Sequence, residues 1–485
     1  MDSTAGKEGL ASPEVPAQPR LQRDALNLFE TISSTLANLA PAEGIFLSIG
    51  LTVAFMGSRA PWIFLIATVA VLTLGNTMAE FSRVRPSAGS FVSYIGNALQ
   101  GYSPRLALFT ATACFILLLI SYPITVAAVV VFLGSWVNSL VPALNWMLVA
   151  VVATLLTLPL LLRGVVISTL WSFIFFIIEA VGLILLSVAV LFLAGGHINA
   201  PFTNLGGTPA LGGLALAFPI AISGYVGWEN SGALAEEARN PRRDIPITVY
   251  ASILIVGLIY LLCSYAAVVG FAGIPAKDPM GNLAIDPAPY LTLAQHYIPW
   301  FAVVIGIVGV TSSVGCFLAA TNSQTRINFN SARDGLLPAF FARVRKGPRP
   351  VPYTSVFLYV GLMLVLIVVP GIWITPTNLF AYEATIGTVP IVLVYLLANV
   401  ALPLYFWKNR RSEFNWFKHL LVPIIGIGVL ALPIWGFFAP GQPAPYNSFG
   451  WIFLALVILS VAWAIYILVA RPQAAQTLGA VVADE

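Results

Sequence analysis

The chain has 485 residues, of which 59% are hydrophobic and 9% charged, with a formal net charge of +4 and a mean hydropathy of +0.91. Soluble domains carry about 25% charged residues, so this composition excludes a large water-soluble protein and indicates an integral membrane protein. The apolar runs are continuous and close to twenty residues or longer, which is the signature of helical spans and not of the alternating segments of a barrel.

In chain order, residues 1–27 are polar and proline-containing, with no apolar core of a cleavable signal. They are expected to form a disordered cytoplasmic tail. Twelve spans follow, at 28–57, 60–82, 104–137, 143–162, 165–194, 210–236, 246–272, 298–331, 353–371, 378–407, 418–439 and 448–470, and residues 471–485 form a second tail. With the N-terminus inside, every Lys and Arg except Arg59 and Lys277 falls on the inner side. That bias predicts both chain ends in the cytoplasm. The longest outer loop is 273–297. The segment 84–98 is expected along the inner face as an amphipathic piece, and the basic run Arg343, Arg345, Lys346, Arg349 reads as inside-loop bias or headgroup contact. Cys114, Cys263 and Cys316 lie inside apolar runs and read as small core residues. No GxxxxGK[ST] motif occurs, so an ATP-driven machine is not indicated.

Most of the 19 Asp and Glu residues lie in tails and loops, but Glu43, Glu179, Glu229 and Glu383 fall within spans 1, 5, 6 and 10. An acid near mid-helix costs about 2.5–3.5 kcal/mol on insertion scales, so such residues usually face a protein-lined cavity. The competing structural reading is a protonated acid hydrogen-bonded to a neighbouring helix.

Spans 1 and 6 both carry helix-weakening residues at mid-depth. Span 1 reads "NLAPAEGIFLSIG" and span 6 "FPIAISGYVGWENSGALAEE". Pro41 lacks an N–H, and Gly44, Gly224 and Gly227 lower helix preference. Two interrupted spans five apart point to an inverted-repeat transporter, with spans 1–5 matching 6–10 and the substrate between the breaks. Freed N–H groups there suit a carboxylate and freed carbonyls an ammonium.

Three stretches carry a resemblance to a known family. "GWENSGALAEEARNPRRDIP" (227–246), "PSAGSFVSY" (86–94) and "SARDGLLP" (331–338) resemble motifs of the amino acid–polyamine–organocation (APC) superfamily, amino acid permease-like, over about residues 28–470. Ser90 stands where the family motif has a second glycine. The match at Ala42-Glu43-Gly44-Ile45-Phe46 is looser. The resemblance implies an all-α membrane protein with twelve transmembrane helices: a LeuT-type 5+5 inverted repeat (28–194 and 210–407) with helices 1 and 6 broken, plus two C-terminal helices in 418–470. It implies a substrate held by Pro41, Ala42, Glu43, Gly44 and Ile45, and by Ser223, Gly224, Tyr225, Val226, Gly227 and Trp228, with Glu229 near the inner gate. Trp228 reads equally as packing.

Proton-coupled members often carry a lysine in span 5, where this chain has Glu179 in "FIFFIIEAVGL". Glu179 is therefore expected either to be the protonatable coupling group or to attract a substrate cation or Na⁺. Thr311, Ser312 and Ser313 supply hydroxyls for such a cation site, although interhelical hydrogen bonds explain them as well. Glu383 is assigned to an outer gate, with a solvated surface acid as the rival reading. Glu80 is expected to tie down the loop after span 2.

The expected function is secondary active transport of an amino acid or organic amine by alternating access, through proton-coupled symport or exchange. Buried acids favour cationic amino acids or polyamines. The alternative is a neutral amino acid/H⁺ symporter, and another class is a channel or non-transporting sensor. A membrane enzyme is not indicated, since His197, His296 and His419 are scattered and no metal-ligand spacing occurs. The expectations are no cofactor beyond H⁺ or Na⁺, no metal and no nucleic-acid partner, with lipid around a monomer or homodimer, in a bacterial inner membrane.

Overall fold

The computed structural model describes residues 21–203, 205–206, 210–345, 350–438, 442, 444–479 and 483. Lys346 and Arg349 of the basic run and residues 1–20 lie outside them. Among the described residues all regular elements are helical, with two isolated bridges, Leu26 with Ala238 and Arg345 with Val351. Nine helical segments among them are long and apolar enough to cross a membrane, with Leu28–Val84 counted as one, and Trp146–Leu162 is a shorter apolar helix.

The helices are α1 (Leu28–Leu39), α2 (Pro41–Met56), α3 (Ala60–Val84), α4 (Ser90–Gln100), α5 (Pro104–Leu140), α6 (Trp146–Leu162), α7 (Val165–Leu193), α8 (Ala210–Ser223) and the single turn α9 (Asn230–Ala233). They continue with α10 (Pro241–Gly273), α11 (Pro279–Ile285), α12 (Pro289–Tyr297), α13 (Ala302–Arg333), α14 (Tyr353–Gly371), α15 (Pro376–Asn409), α16 (Val422–Phe438), α17 (Phe449–Ala470) and α18 (Ala474–Thr477). Local chemistry sets many starts. Asn27 and Glu30 form a reciprocal capping box for α1, while Ser103 and Asn145 cap α5 and α6. Proline opens α2, α5, α10, α11, α12 and α15, where its missing N–H costs nothing. Two packing groups organise the chain. In one, α3 lies along α10, with α1 against α10 and α2 and α3 against α8; in the other, α5 packs on α15 and α13 on α5 and α7.

Several expectations change. Residues 21–27 are not a loose tail: Leu26 is fully buried, and its N–H donates to the Glu237 carbonyl at 2.8 Å. Residues 90–98 of α4 are buried throughout, so this segment is an internal helix between α5 and α15 and not an amphipathic surface piece. The 273–297 loop holds α11 and α12, and α11 packs on α2. Glu80 does not tie down the loop after span 2. It meets Arg83, Lys418 and His419, whose Nε2 lies 3.2 Å from the carboxylate, and so joins α3 to the start of α16.

Ser90 has φ 47°, in the left-handed region, and its buried hydroxyl has no hydrogen-bond partner among the described residues. The glycine of the family motif avoids that cost. Ser90→Gly is expected to stabilise the protein by about 1 kcal/mol, read as a higher midpoint of thermal unfolding in detergent.

Candidate functional site

The first break is a single residue. Ala40 adopts the left-handed φ 43°, ψ 62° between α1 and α2; the proline that follows disfavours right-handed helical geometry there, and the left-handed turn is a cost for a non-glycine residue. The sequence placed the break across Pro41–Ile45; these residues instead form the first turns of α2, and the Gly44 N–H donates to the Ala40 carbonyl at 2.9 Å. The N–H groups that a helix start leaves over are those of Ala42 and Glu43. Ala42 donates to Glu179 Oε1 at 3.4 Å, and Glu43 donates to Ser312 Oγ at 3.2 Å. Ser313 Oγ donates to Glu43 Oε2 at 3.3 Å, and the Ser312 hydroxyl also serves Glu179. Thus α2, α7 and α13 bring Glu43, Glu179, Ser312 and Ser313 together. Thr311 does not join them: its hydroxyl donates to Ile307 and Val308 of its own helix.

The second break runs through turns from Gly224 to Glu229, after α8 ends at Ser223. Gly227 has φ 117°, and a Cβ there would lie 2.9 Å from the Asn38 carbonyl, so only glycine fits. Asn38 Nδ2 donates to the Gly227 carbonyl at 3.1 Å and joins the two breaks. Tyr260 of α10 also touches both. Its hydroxyl donates to the Gly224 carbonyl at 2.6 Å, and a Cβ on Gly44 would collide with that same oxygen. Tyr225 turns the other way, its hydroxyl bonded to Thr68 at 2.6 Å. Trp228 is fully buried against Phe91 and Tyr395, so its contacts are those of packing. At the breaks Ser223 is exposed, and Gly44, Leu47, Gly224 and Val226 are partly exposed; Pro41, Ala42 and Ile45 are buried.

Glu229 accepts from the Tyr122 hydroxyl at 2.7 Å and from the Gly227 N–H at 3.0 Å, with Tyr395 beside it. It thereby links the second break to α5 and α15. Glu383 stands apart. It is 6% exposed, which removes the solvated-surface reading, and neither carboxylate oxygen has a hydrogen-bond partner among the described residues.

Other residues escaped the sequence reading. Glu236 and Glu237 sit in a stretch assigned to the polar end of span 6, yet both are buried in ion pairs with Arg333 and Arg326 of α13. The signal was the coincidence of an acidic-pair motif and an arginine motif in one chain. Asn38, Tyr122, Tyr260 and Tyr395 carried no signal beyond their polar groups inside apolar runs.

Chemically, the centre offers two buried carboxylates and two hydroxyls beside the first break. No cationic side chain among the described residues pairs with Glu43 or Glu179. Charge at such a place must be neutralised by a bound proton, a metal cation or a ligand ammonium. No group of three or more His, Cys, Asp or Glu able to hold a metal occurs among the described residues.

Long apolar helices, two interrupted segments laced together and buried acids beside them define a multi-pass helical membrane protein with a polar centre. A family sequence profile described as amino acid permease matches residues 26–463. The chain belongs to that family, so it is a transporter and not an enzyme. It is similar to the D-serine/D-alanine/glycine transporter of Escherichia coli K12 (24% identity, 84% of this chain, 85% of the relative). It is also similar to the branched-chain amino acid permease of Bacillus subtilis (26%, 80% and 82%). A shorter match joins it to the cationic amino acid transporter 3, mitochondrial, of Arabidopsis thaliana (33% over 122 residues, 25% of this chain and 19% of the relative).

Proposed function

We propose that the chain is a secondary active transporter that carries an amino acid or organic amine, with cationic amino acids or polyamines favoured, by alternating access. The observation that carries the substrate preference is the Glu43–Glu179 pair beside the break at Ala40, which no cationic side chain among the described residues balances. A substrate ammonium placed there supplies the missing charge. Glu179 also takes the Ala42 N–H, the donor that a substrate carboxylate would otherwise find at the start of α2. An amine therefore competes with nothing for the site, whereas an amino acid's carboxylate competes with Glu179. The relatives' names span small neutral, branched-chain and cationic amino acids, so the family does not choose between them.

The reading extends to twelve spans arranged as two repeats, 28–194 and 210–407, with 418–470 appended, both chain ends cytoplasmic, and proton symport or exchange as the driver. The meeting of Arg23 with Ala483 at 3.4 Å supports an even number of crossings. One packing group, α1–α3 with α8–α10, rocks against the group built on α5, α13 and α15. Substrate touches the partly exposed faces of Gly44, Ser223, Gly224 and Val226, with Ser312 and Ser313 beside the cation. The Tyr122–Glu229–Tyr395 cluster acts as an inner gate, and Glu383 is a second protonatable group towards the outside.

The neutral amino acid/H⁺ symporter remains the second reading, because a proton shared by Glu43 and Glu179 balances the site equally well. Counterflow in proteoliposomes separates the two. Vesicles loaded with arginine, lysine, putrescine, alanine or leucine are diluted into the labelled compound. The first reading expects uptake driven by the cations; uptake driven only by alanine or leucine would replace it with the second. Flux without counterflow would indicate a channel.

A further inference from the structure

We propose that residues 471–479, together with Ala483, form a strap that holds the inner face shut and must let go before that face opens. The inference rests on the alternating-access reading above. The strap grips both packing groups at one end of the bundle. On one side, Arg85 Nη2, just after α3, donates to the Gly479 carbonyl at 3.0 Å, the Ala483 N–H donates to the Pro86 carbonyl at 3.0 Å, and Arg23 reaches the Ala483 carbonyl. On the other side, the Gly479 N–H donates to Asp334 Oδ2 at 3.1 Å, just after α13, and Arg471 donates to the Gly335 and Leu337 carbonyls at 3.4 and 3.3 Å.

Between these grips Leu478 is 1% exposed, seated over Gly96 of α4. Any side chain on Gly96 would come within 2.9 Å of that leucine, so the groove is shaped for it. Gly479 has φ 61°, and a Cβ there would meet the Asn97 amide at 2.6 Å, so the chain can turn out of the groove only through glycine. A plain C-terminal tail needs neither a fitted groove nor a left-handed turn. Parting α3 from α13 at this end stretches the strap across two anchors, and one of them must break. The buried Glu236–Arg333 and Glu237–Arg326 pairs span the same gap from within. The strap is the outer of two closures, and the more easily released because its anchors are mostly hydrogen bonds to backbone.

The test locks the strap in the full chain. Gly96→Cys with Leu478→Cys removes the leucine that would collide and places two thiols face to face; the three native cysteines are buried and do not compete. Oxidation is expected to link the pair, to slow hydrogen exchange over residues 230–238, and to lower counterflow of arginine or alanine roughly fivefold or more. Reduction is expected to restore both. Leu478→Asp is expected to act in the opposite direction, speeding exchange over 230–238 while the protein remains monodisperse. A pair that does not link, or a linked protein that exchanges and transports as the reduced one does, overturns the strap. If the wild type moves no amino acid or amine, the transport reading fails separately, and the exchange measurement still decides the strap.

Discussion

Glu237→Ala is expected to lower stability by about 3–5 kcal/mol, the usual cost of removing one partner of a buried ion pair. Arg326 is 3% exposed and donates to both Glu237 oxygens. Without them its guanidinium keeps only Asn322 as a partner among the bonds described. Thermal unfolding of the solubilised protein measures the loss. The arginine is left charged where water cannot reach it, so the penalty lies in the orphaned charge and not in the lost attraction. The paired change Glu237→Leu with Arg326→Met is therefore expected to recover most of the stability. An unfolding midpoint that stays at the wild-type value for Glu237→Ala would show that the guanidinium finds another partner, and the closure at this face would have to rest on Glu236–Arg333 alone.

The largest expected functional effect is at the carboxylate pair. Glu179→Gln is expected to lower kcat/KM for a cationic substrate roughly ten- to hundredfold, equivalent to one charged hydrogen-bonded contact of about 1.5–3 kcal/mol. Glu43→Gln is expected to act similarly. The double variant is expected to lose little more than either single one, because the two carboxylates are held side by side, with Ser312 bonded to both the Glu43 N–H and Glu179, and serve one positive charge. Additive losses would mean that the two acids do separate jobs, one for substrate and one for coupling. Initial rates of labelled arginine uptake across a concentration series decide between these outcomes, and a fall in kcat alone would assign Glu179 to coupling.

The fold class was legible because it is written in composition. Continuous apolar runs in a bilayer can only be helices, since every backbone group must be paired within its own segment. The two breaks were legible because Pro41 lacks a backbone N–H and Gly224 and Gly227 lower helix preference. Their detail was not. Proline's steric effect acts on the residue before it, which moved the first break to Ala40 and left Pro41–Ile45 helical. Which hydroxyls of Thr311–Ser313 face the acids depends on the rotation of α13 about its axis. Successive residues on a helix point about 100° apart, and the α13–α7 packing fixes that rotation.

The sequence by itself determined a multi-pass helical protein, the family it resembles, the four acids within apolar runs and the helix-weakening residues near two of them. Each of these follows from local chemistry: hydropathy, missing N–H groups, or a motif read in order. Only the tertiary structure decided that Glu43 and Glu179 meet at the start of α2, that Trp228 packs in an aromatic cluster, that Glu236 and Glu237 are buried against arginines, and that Gly479 bonds to Arg85 and Asp334. These are contacts between residues 89 or more positions apart. No local preference encodes them, and they exist because buried polar groups must find partners wherever the packed helices bring them.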